Sequence, residues 1–362
     1  MDFRDLDRKQ SNNINKAKSI FQEPRVSVIK GLERILLGEN SFQAVITRNS
    51  SENQAIDHNF IIRELLNGSE EVERNNTLNF SVDLLHNVLV CVKTGIIRTH
   101  SGHLYAPLRS DREFMSGQFA GAISSLLRMK IKNSQALKQT ERLVYLIPKH
   151  HYYYHFVVEE LPRLLLAIKK FPSLIIISTE SQPNFVHQFL RDLRLNILHI
   201  EHPILVKGLI LVSSSNYRLT DTRREFLLEE LDEHYDGMIS KNQRVKPNLN
   251  IFISRSDSKN YNTFAEKLIE NELGSRSYLK VELSKIQFSD QIKLFKGTRY
   301  AVGIHGGGFT NGLFMERGGR IEEYFTQNHF PYFYREIAEL SGLKYSARKL
   351  SESTTKVNLR NP

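Results

Sequence analysis

The stretch from Thr298 to Phe325, TRYAVGIHGGGFTNGLFMERGGRIEEYF, limits what this chain can fold into more than any other. The apolar run Tyr300 to Ile304 has the length of a short buried strand, and His305 with three glycines follows where that strand should end. Phe309 to Met315 predicts the start of a helix, with Thr310 and Asn311 as cap-type residues. Ile321 to Phe325 predicts a second strand carrying Glu323 near its exit. Strand, glycine turn, helix and strand make half of a nucleotide-binding α/β unit. Glycines in such a turn permit φ > 0 and omit the Cβ atoms that would hold a ligand off the backbone. The N–H groups at the helix start then suit a phosphate. Tight packing is the plain alternative for the same turn.

Further upstream, Lys149 to Lys170 forms a second chemical centre. Tyr152, Tyr153 and Tyr154 precede His155, which opens a helical segment reaching about Lys170 with Pro162 inside it. A proline there kinks the helix or marks a second helix beginning at Leu161. On a continuous helix, His155, Glu159 and Arg163 lie at i, i+4 and i+8 and line one stripe. The tyrosine rings offer faces on which a sugar can stack. The plain alternative is a Glu159–Arg163 surface pair worth about 0.3–0.5 kcal/mol.

The remaining chain alternates in the manner of doubly wound sheets. Leu78 to Leu108 predicts a β-meander, Phe119 to Met129 an amphipathic helix, and Leu143 to Ile147 a strand. Strands at Leu174–Ser178, Ile197–Ile200 and Gly208–Val212 follow, with helices at Asn184–Leu193 and Asp221–Tyr235, Asp221 at or near the cap of the latter. The polar run Gly237 to Asn248 marks a domain junction between Ser213 and Pro247. Beyond it come a strand ending at Arg255, a helix at Thr263–Glu272, a strand at Leu279–Glu282, a helix at Ser289–Lys296 and a closing helix at Pro331–Leu340.

Three of these segments together resemble glycosyltransferase family 61, whose members move a sugar from a nucleotide-sugar to a glycan or protein acceptor. His305-Gly306-Gly307-Gly308-Phe309-Thr310-Asn311 is similar to the family's HGAGLTN signature, and Ile253-Ser254-Arg255 to its ISR strand end. Tyr153-Tyr154-His155-Phe156 through Glu159-Leu161-Pro162-Arg163 is similar to its YYHW…E.LPRL segment. The resemblance runs from about Leu78 to Phe325. It departs at Gly307 (usually Ala), Phe309 (usually Leu), Phe156 (usually Trp) and Ala265, where Asn usually precedes the residue equivalent to Glu266.

The resemblance implies a GT-B arrangement, two Rossmann-like α/β domains facing across a cleft. The boundaries expected are 1–215 for an acceptor-side domain, 216–345 for a donor domain and 346–362 for a tail. It also implies inverting, metal-independent transfer from a nucleotide-sugar, a UDP-sugar first, to a glycan or lipid-linked glycan, as in capsular, exo- or lipopolysaccharide synthesis. Arg255, Lys259, His305, Gly306, Gly307, Gly308, Thr310 and Asn311 are the expected diphosphate contacts, with Glu323 on the ribose and Glu322 turned to the opposite sheet face. His155 is the expected base, with Glu159 orienting it or acting itself, and Tyr153, Tyr154 and Arg163 face the acceptor. Neither a metal nor a cofactor is expected. A non-catalytic nucleotide- or glycan-binding protein, and a polysaccharide-modifying enzyme such as a pyruvyl transferase, are the alternatives.

Composition narrows the classes further. One cysteine, Cys91, excludes an internal disulfide framework and favours a reducing compartment. With no apolar run near the start of the sequence, the expectation is a cytoplasmic chain, in which the sequons at Asn49, Asn67, Asn75 and Asn79 are chance matches. Asp5 and Asp7 form an acid-x-acid pair too far from the other signals to be a metal site. His86, His100 and His103 have no metal-ligand spacing. The formal net charge of +10 suits a polyanionic donor or an acceptor at the inner face of an anionic membrane, where the chain would sit peripherally. The basic residues are scattered and no nucleic-acid motif is present, which argues against nucleic acid as partner.

Overall fold

The computed structural model of the protein describes residues 70–75, 78–98, 104–105, 143–149, 152–213, 219–235, 237, 248–258, 262–274, 277–326 and 331–350. Lys259, the pair Asp5 and Asp7, His100, His103, Asn49, Asn67 and the helix expected at Phe119–Met129 lie outside the described residues. The chain divides into two compact units. The described residues of the first fall within Met1–Lys149, Leu166–Gln182 and Leu195–Tyr217. Those of the second fall within His150–Leu165, Pro183–Arg194 and Arg218–Pro362. The segment carrying His155 thus belongs to the same unit as the glycine stretch.

The first unit is a mixed sheet of eight strands: β1 (Glu70–Asn75), β2 (Phe80–Cys91), β3 (Ile96–Arg98), β4 (Leu104–Tyr105), β5 (Val144–Leu146), β6 (Ile175–Ser178), β7 (Ile197–His199) and β8 (Ile204–Ser213). The expected meander is present as antiparallel β2, β3 and β4, to which β1 adds on β2. Strand β8 joins the meander to the parallel part, pairing antiparallel with β2 and parallel with β5. Val88, Val90, Ile97, Val144, Ile177, Val206 and Leu209 form the core of the unit. Cys91 is buried in β2, as a small apolar strand residue would be.

The second unit is a parallel sheet of β9 (Leu249–Ile253), β10 (Leu279–Val281), β11 (Thr298–Ile304), β12 (Arg320–Phe325) and β13 (Lys344–Lys349), in the order β10-β9-β11-β12-β13. Strands buried on both faces read as continuous apolar runs, which is why β9 and β11 are plain in the sequence. Phe252, Ile269, Val302, Ile304 and Tyr324 lie at the centre of its core. The helices are α1 (Leu161–Lys170), which runs on past Leu165, α2 (Asn184–Asp192), α3 (Asp221–His234), α4 (Thr263–Leu273), α5 (Phe288–Lys296) and α6 (Phe333–Leu340).

Asp221 opens α3 next to its cap Thr220, whose hydroxyl accepts from the Arg223 N–H. A helix begins at Leu161, one of the two outcomes expected of Pro162, which sits in its first turn. One local expectation changes: residues 346–349, expected to open a tail, are sheet residues of β13.

Candidate active site at the carboxyl edge of the parallel sheet

From β9 the chain of the second unit steps out to β10 and then returns to β11 on the opposite side of β9. In open α/β sheets ligands settle outside the carboxyl ends of the two strands where the order reverses. Here those strands are β9, which delivers Ser254 and Arg255, and β11, which delivers His305 to Gly308. Pairing of Gly303 with Ile253 sets the two exits side by side. The Arg255 guanidinium donates from Nη1 to the His305 carbonyl and from Nη2 to Ser258 Oγ at 3.0 Å. At its other end, the Arg255 backbone N–H donates to the buried Glu266 carboxylate at 2.6 Å, and Ser254 Oγ donates to the same group at 3.1 Å. Lys280 Nζ stands 3.2 Å from that carboxylate, which leaves the buried charge paired. Two bonds use only two of the five guanidinium donors.

His305 donates from Nδ1 to Glu323 Oε1, and its ring stacks on Phe325 at 5.1 Å. Glu323 is fully buried, and its second oxygen accepts from Tyr345 Oη at 2.6 Å. The carboxylate expected to meet a ribose is instead the fixed partner of His305. The reason is register: Glu323 lies opposite Gly303 and Ala347, so its side chain shares a face with His305 and with Tyr345. Glu322, as the alternation predicts, faces other groups, among them the Tyr300 hydroxyl at 2.7 Å and Arg348 Nε at 2.8 Å.

The second histidine, His155, belongs to a short helical start, Tyr153–His155, that runs into a π-helical turn at Phe156–Glu160 before α1 begins. Such turns are rare and concentrate at functional sites. His155 Nδ1 meets Glu159 Oε1 at 2.6 Å, with both side chains partly exposed. Arg163 does not continue the stripe outward. It is buried, donates from Nε to the Glu159 carbonyl at 2.7 Å and places Nη2 3.6 Å from Glu160 Oε2. It therefore braces the turn. Tyr154 is buried against Phe333 and Tyr334 of α6, at ring distances of 4.6 and 6.0 Å. Tyr334 also reaches the His305 ring at 5.3 Å, so one helix supports both histidines.

The glycines between these groups sit where space, not backbone angle, is short. None of Gly306, Gly307 and Gly308 lies in the left-handed region, Gly306 being extended at φ 174°. A Cβ on Gly306 would stand 2.9 Å from Arg255 Nε, one on Gly307 3.1 Å from Tyr153 Cβ, and one on Gly308 2.7 Å from Leu283 Cδ1. The predicted helix is a tighter 3₁₀ helix, Gly307–Phe314. Thr310 and Asn311 are fully buried within it. Asn311 accepts from Tyr153 Oη at 2.8 Å and donates to Gln291 Oε1 at 2.7 Å, and Gln291 in turn donates to the Leu283 and Ile286 carbonyls at 2.9 Å. The side chains of Thr310, Asn311 and Tyr154 thus work inside the unit, and the Tyr153 hydroxyl is turned inward to Asn311. His305 to Gly308, Arg255, Tyr153, His155 and Glu159 keep partial exposure.

Compared with known protein families, residues 153–321 match Glycosyltransferase 61. Over that stretch, a little under half of the chain, the sequence is similar to glycosyltransferase family 61. No curated protein matches it. The match supports a glycosyltransferase, with a glycosyl donor and an acceptor as its substrates. The family 61 match opens at Tyr153 and closes at Ile321, so it takes in both histidines and Arg255 but stops short of Glu323 and Tyr345. Gln291, Tyr334 and Tyr345, which support the site, carry no motif, and Glu266 entered the sequence reading only as the residue that follows Ala265 in the family pattern.

Proposed function

We propose that this chain is a family 61 enzyme that takes its glycosyl group from a nucleotide-sugar, a UDP-sugar first, and transfers it with inversion and without metal to a glycan hydroxyl. The observation that carries the reading is the pairing of Arg255 with His305 at the switch point of the parallel sheet. A diphosphate set outside β9 and β11 would meet a guanidinium already held by the His305 carbonyl and Ser258 and an imidazole already held by Glu323. Fixed donors of this kind stabilise charge as it develops on a leaving group, with no reorganisation at the moment of reaction.

His155 is the base in this reading. Its Nδ1 is tied to Glu159, so Nε2 takes the proton of the acceptor hydroxyl. The acceptor oxygen forms a bond to the anomeric carbon as that carbon's bond to the diphosphate oxygen breaks. The electron pair leaves on the diphosphate, opposite Arg255 and His305. The GT-B class stays part of the proposal, and what supports it is a chain that divides into two compact units, each with a sheet of its own. A lipid-linked acceptor at an anionic cytoplasmic membrane face fits the net charge of +10. Among the described residues no helix is long and apolar enough to cross a membrane.

A thermal-shift screen of UDP-, GDP- and CMP-sugars tests the donor assignment. A ligand at a hundred times its dissociation constant adds about 2.7 kcal/mol to stability. One nucleotide class is expected to raise the midpoint, with UDP first, and no shift from any of them would remove the nucleotide-sugar reading.

A further inference from the structure

Large apolar side chains left on a surface cluster where something binds. Among the described residues four such side chains are exposed: Tyr152 at 60%, Leu249 at 37%, Leu279 at 51% and Tyr332 at 67%. The two most exposed are tyrosines, one in ring contact with His155 and the other next in sequence to a residue that is. The Tyr152 ring stands edge-on to the His155 ring at 6.1 Å. Tyr332 immediately precedes Phe333, whose ring lies 5.7 Å from the same imidazole. The inner tyrosines offer less of a surface: Tyr154 is buried, and the Tyr153 hydroxyl is committed to Asn311.

We propose that Tyr152 and Tyr332 are a stacking platform for the acceptor, which is therefore a pyranoside presenting a face of clustered C–H groups, such as a β-galactoside or β-glucoside. The inference rests on the reading of His155 as the base and adds what lies beside it. The face of an aromatic ring is electronegative, and the C–H hydrogens on one side of a pyranose carry slight positive charge, so the two surfaces attract while shedding water. Tyrosine suits this better than leucine, because its ring is rigid, has only two side-chain torsions to fix, and keeps a hydroxyl at the rim for sugar hydroxyls. A sugar lying on rings this close to His155 would hold one of its hydroxyls within reach of the imidazole.

The test is saturation-transfer NMR on the full chain with methyl β-galactopyranoside, methyl β-glucopyranoside and methyl α-mannopyranoside, with UDP titrated into the same samples. At least one β-glycoside should receive saturation mainly on the ring protons of one face. Tyr152→Ala and Tyr332→Ala should each weaken that binding by about 3–10-fold, and Tyr332→Phe should retain it. Both tyrosines are exposed, so the alanine variants should fold. Absence of any glycoside signal in a protein that binds UDP overturns the platform and leaves the donor reading standing. Glycoside binding at wild-type strength in both alanine variants also overturns it, as does a Tyr332→Phe variant as weak as Tyr332→Ala. Loss of UDP binding in the wild type would sink the donor reading instead.

Discussion

His155 and His305 are each held through Nδ1 by a glutamate, and the two glutamates differ in a way that separates the roles. Glu159 lies one turn along the same helical segment and is 17% exposed, whereas Glu323 is 0% exposed and shares its second oxygen with Tyr345. The first pair can respond to an arriving hydroxyl, and the second is locked into the sheet. His155→Ala should therefore lower kcat by about 10²–10⁴, the usual worth of a placed base, with nucleotide affinity nearly intact. Glu159→Gln should cost less, since its amide oxygen can still accept from Nδ1–H. Steady-state kinetics beside a nucleotide titration decide the matter. Nucleotide affinity lost in His155→Ala would move that histidine to the donor side and leave His305 as the base. Gly308→Ala drives a methyl against Leu283 and Ile253. It should destabilise the protein by about 1–3 kcal/mol, as overpacking does. Unchanged stability with abolished nucleotide binding would show that Gly308 faces the ligand.

At the level of elements, the site depends on a latch between the Tyr153–His155 segment and the 3₁₀ helix. Asn311 joins Tyr153 to Gln291 inside the core. Asn311→Ala strands a buried phenol and a buried amide, each worth about 1–3 kcal/mol when unsatisfied, and denaturant unfolding should show the loss. A midpoint equal to the wild type would mean that the latch contributes nothing. The alternation of strands and helices from Leu174 to Phe325 was legible because parallel strands carry unbroken apolar runs. Strand β13 was not: KYSARK is mostly exposed, and its alternation shows only once β12 lies beside it. Of the site, His155, Glu159, Arg255 and His305 were legible through their motifs. The inward roles of Tyr153, Asn311, Arg163 and Glu323 were not, because each is set by a contact the sequence does not announce. The Tyr153–Asn311 bond alone spans 158 positions.

Across the whole molecule, tyrosines knit the second unit together. Burial pushes the phenols of Tyr153, Tyr235, Tyr300, Tyr334 and Tyr345 well above their ordinary value of 10.0. The folded state holds these protons more tightly than the unfolded chain, so their contribution is intact below pH 10 and is lost as pH rises past it. Denaturant midpoints should fall steeply above that pH, with phenolate absorbance appearing together with unfolding. Complete phenol titration near pH 10 in a protein whose circular dichroism is unchanged would contradict this. The central claim is that a nucleoside diphosphate binds where Arg255 meets His305. Calorimetric titration of UDP and of uridine into the wild type, Arg255→Lys and Arg255→Ala tests it most directly. Arg255→Ala should weaken UDP by about 2–5 kcal/mol, as removing one partner of a desolvated charge pair does, and leave uridine nearly unaffected. Arg255→Lys should fall between, keeping the charge and losing the fork. Equal losses for UDP and uridine, or UDP binding indifferent to Arg255, would contradict the assignment.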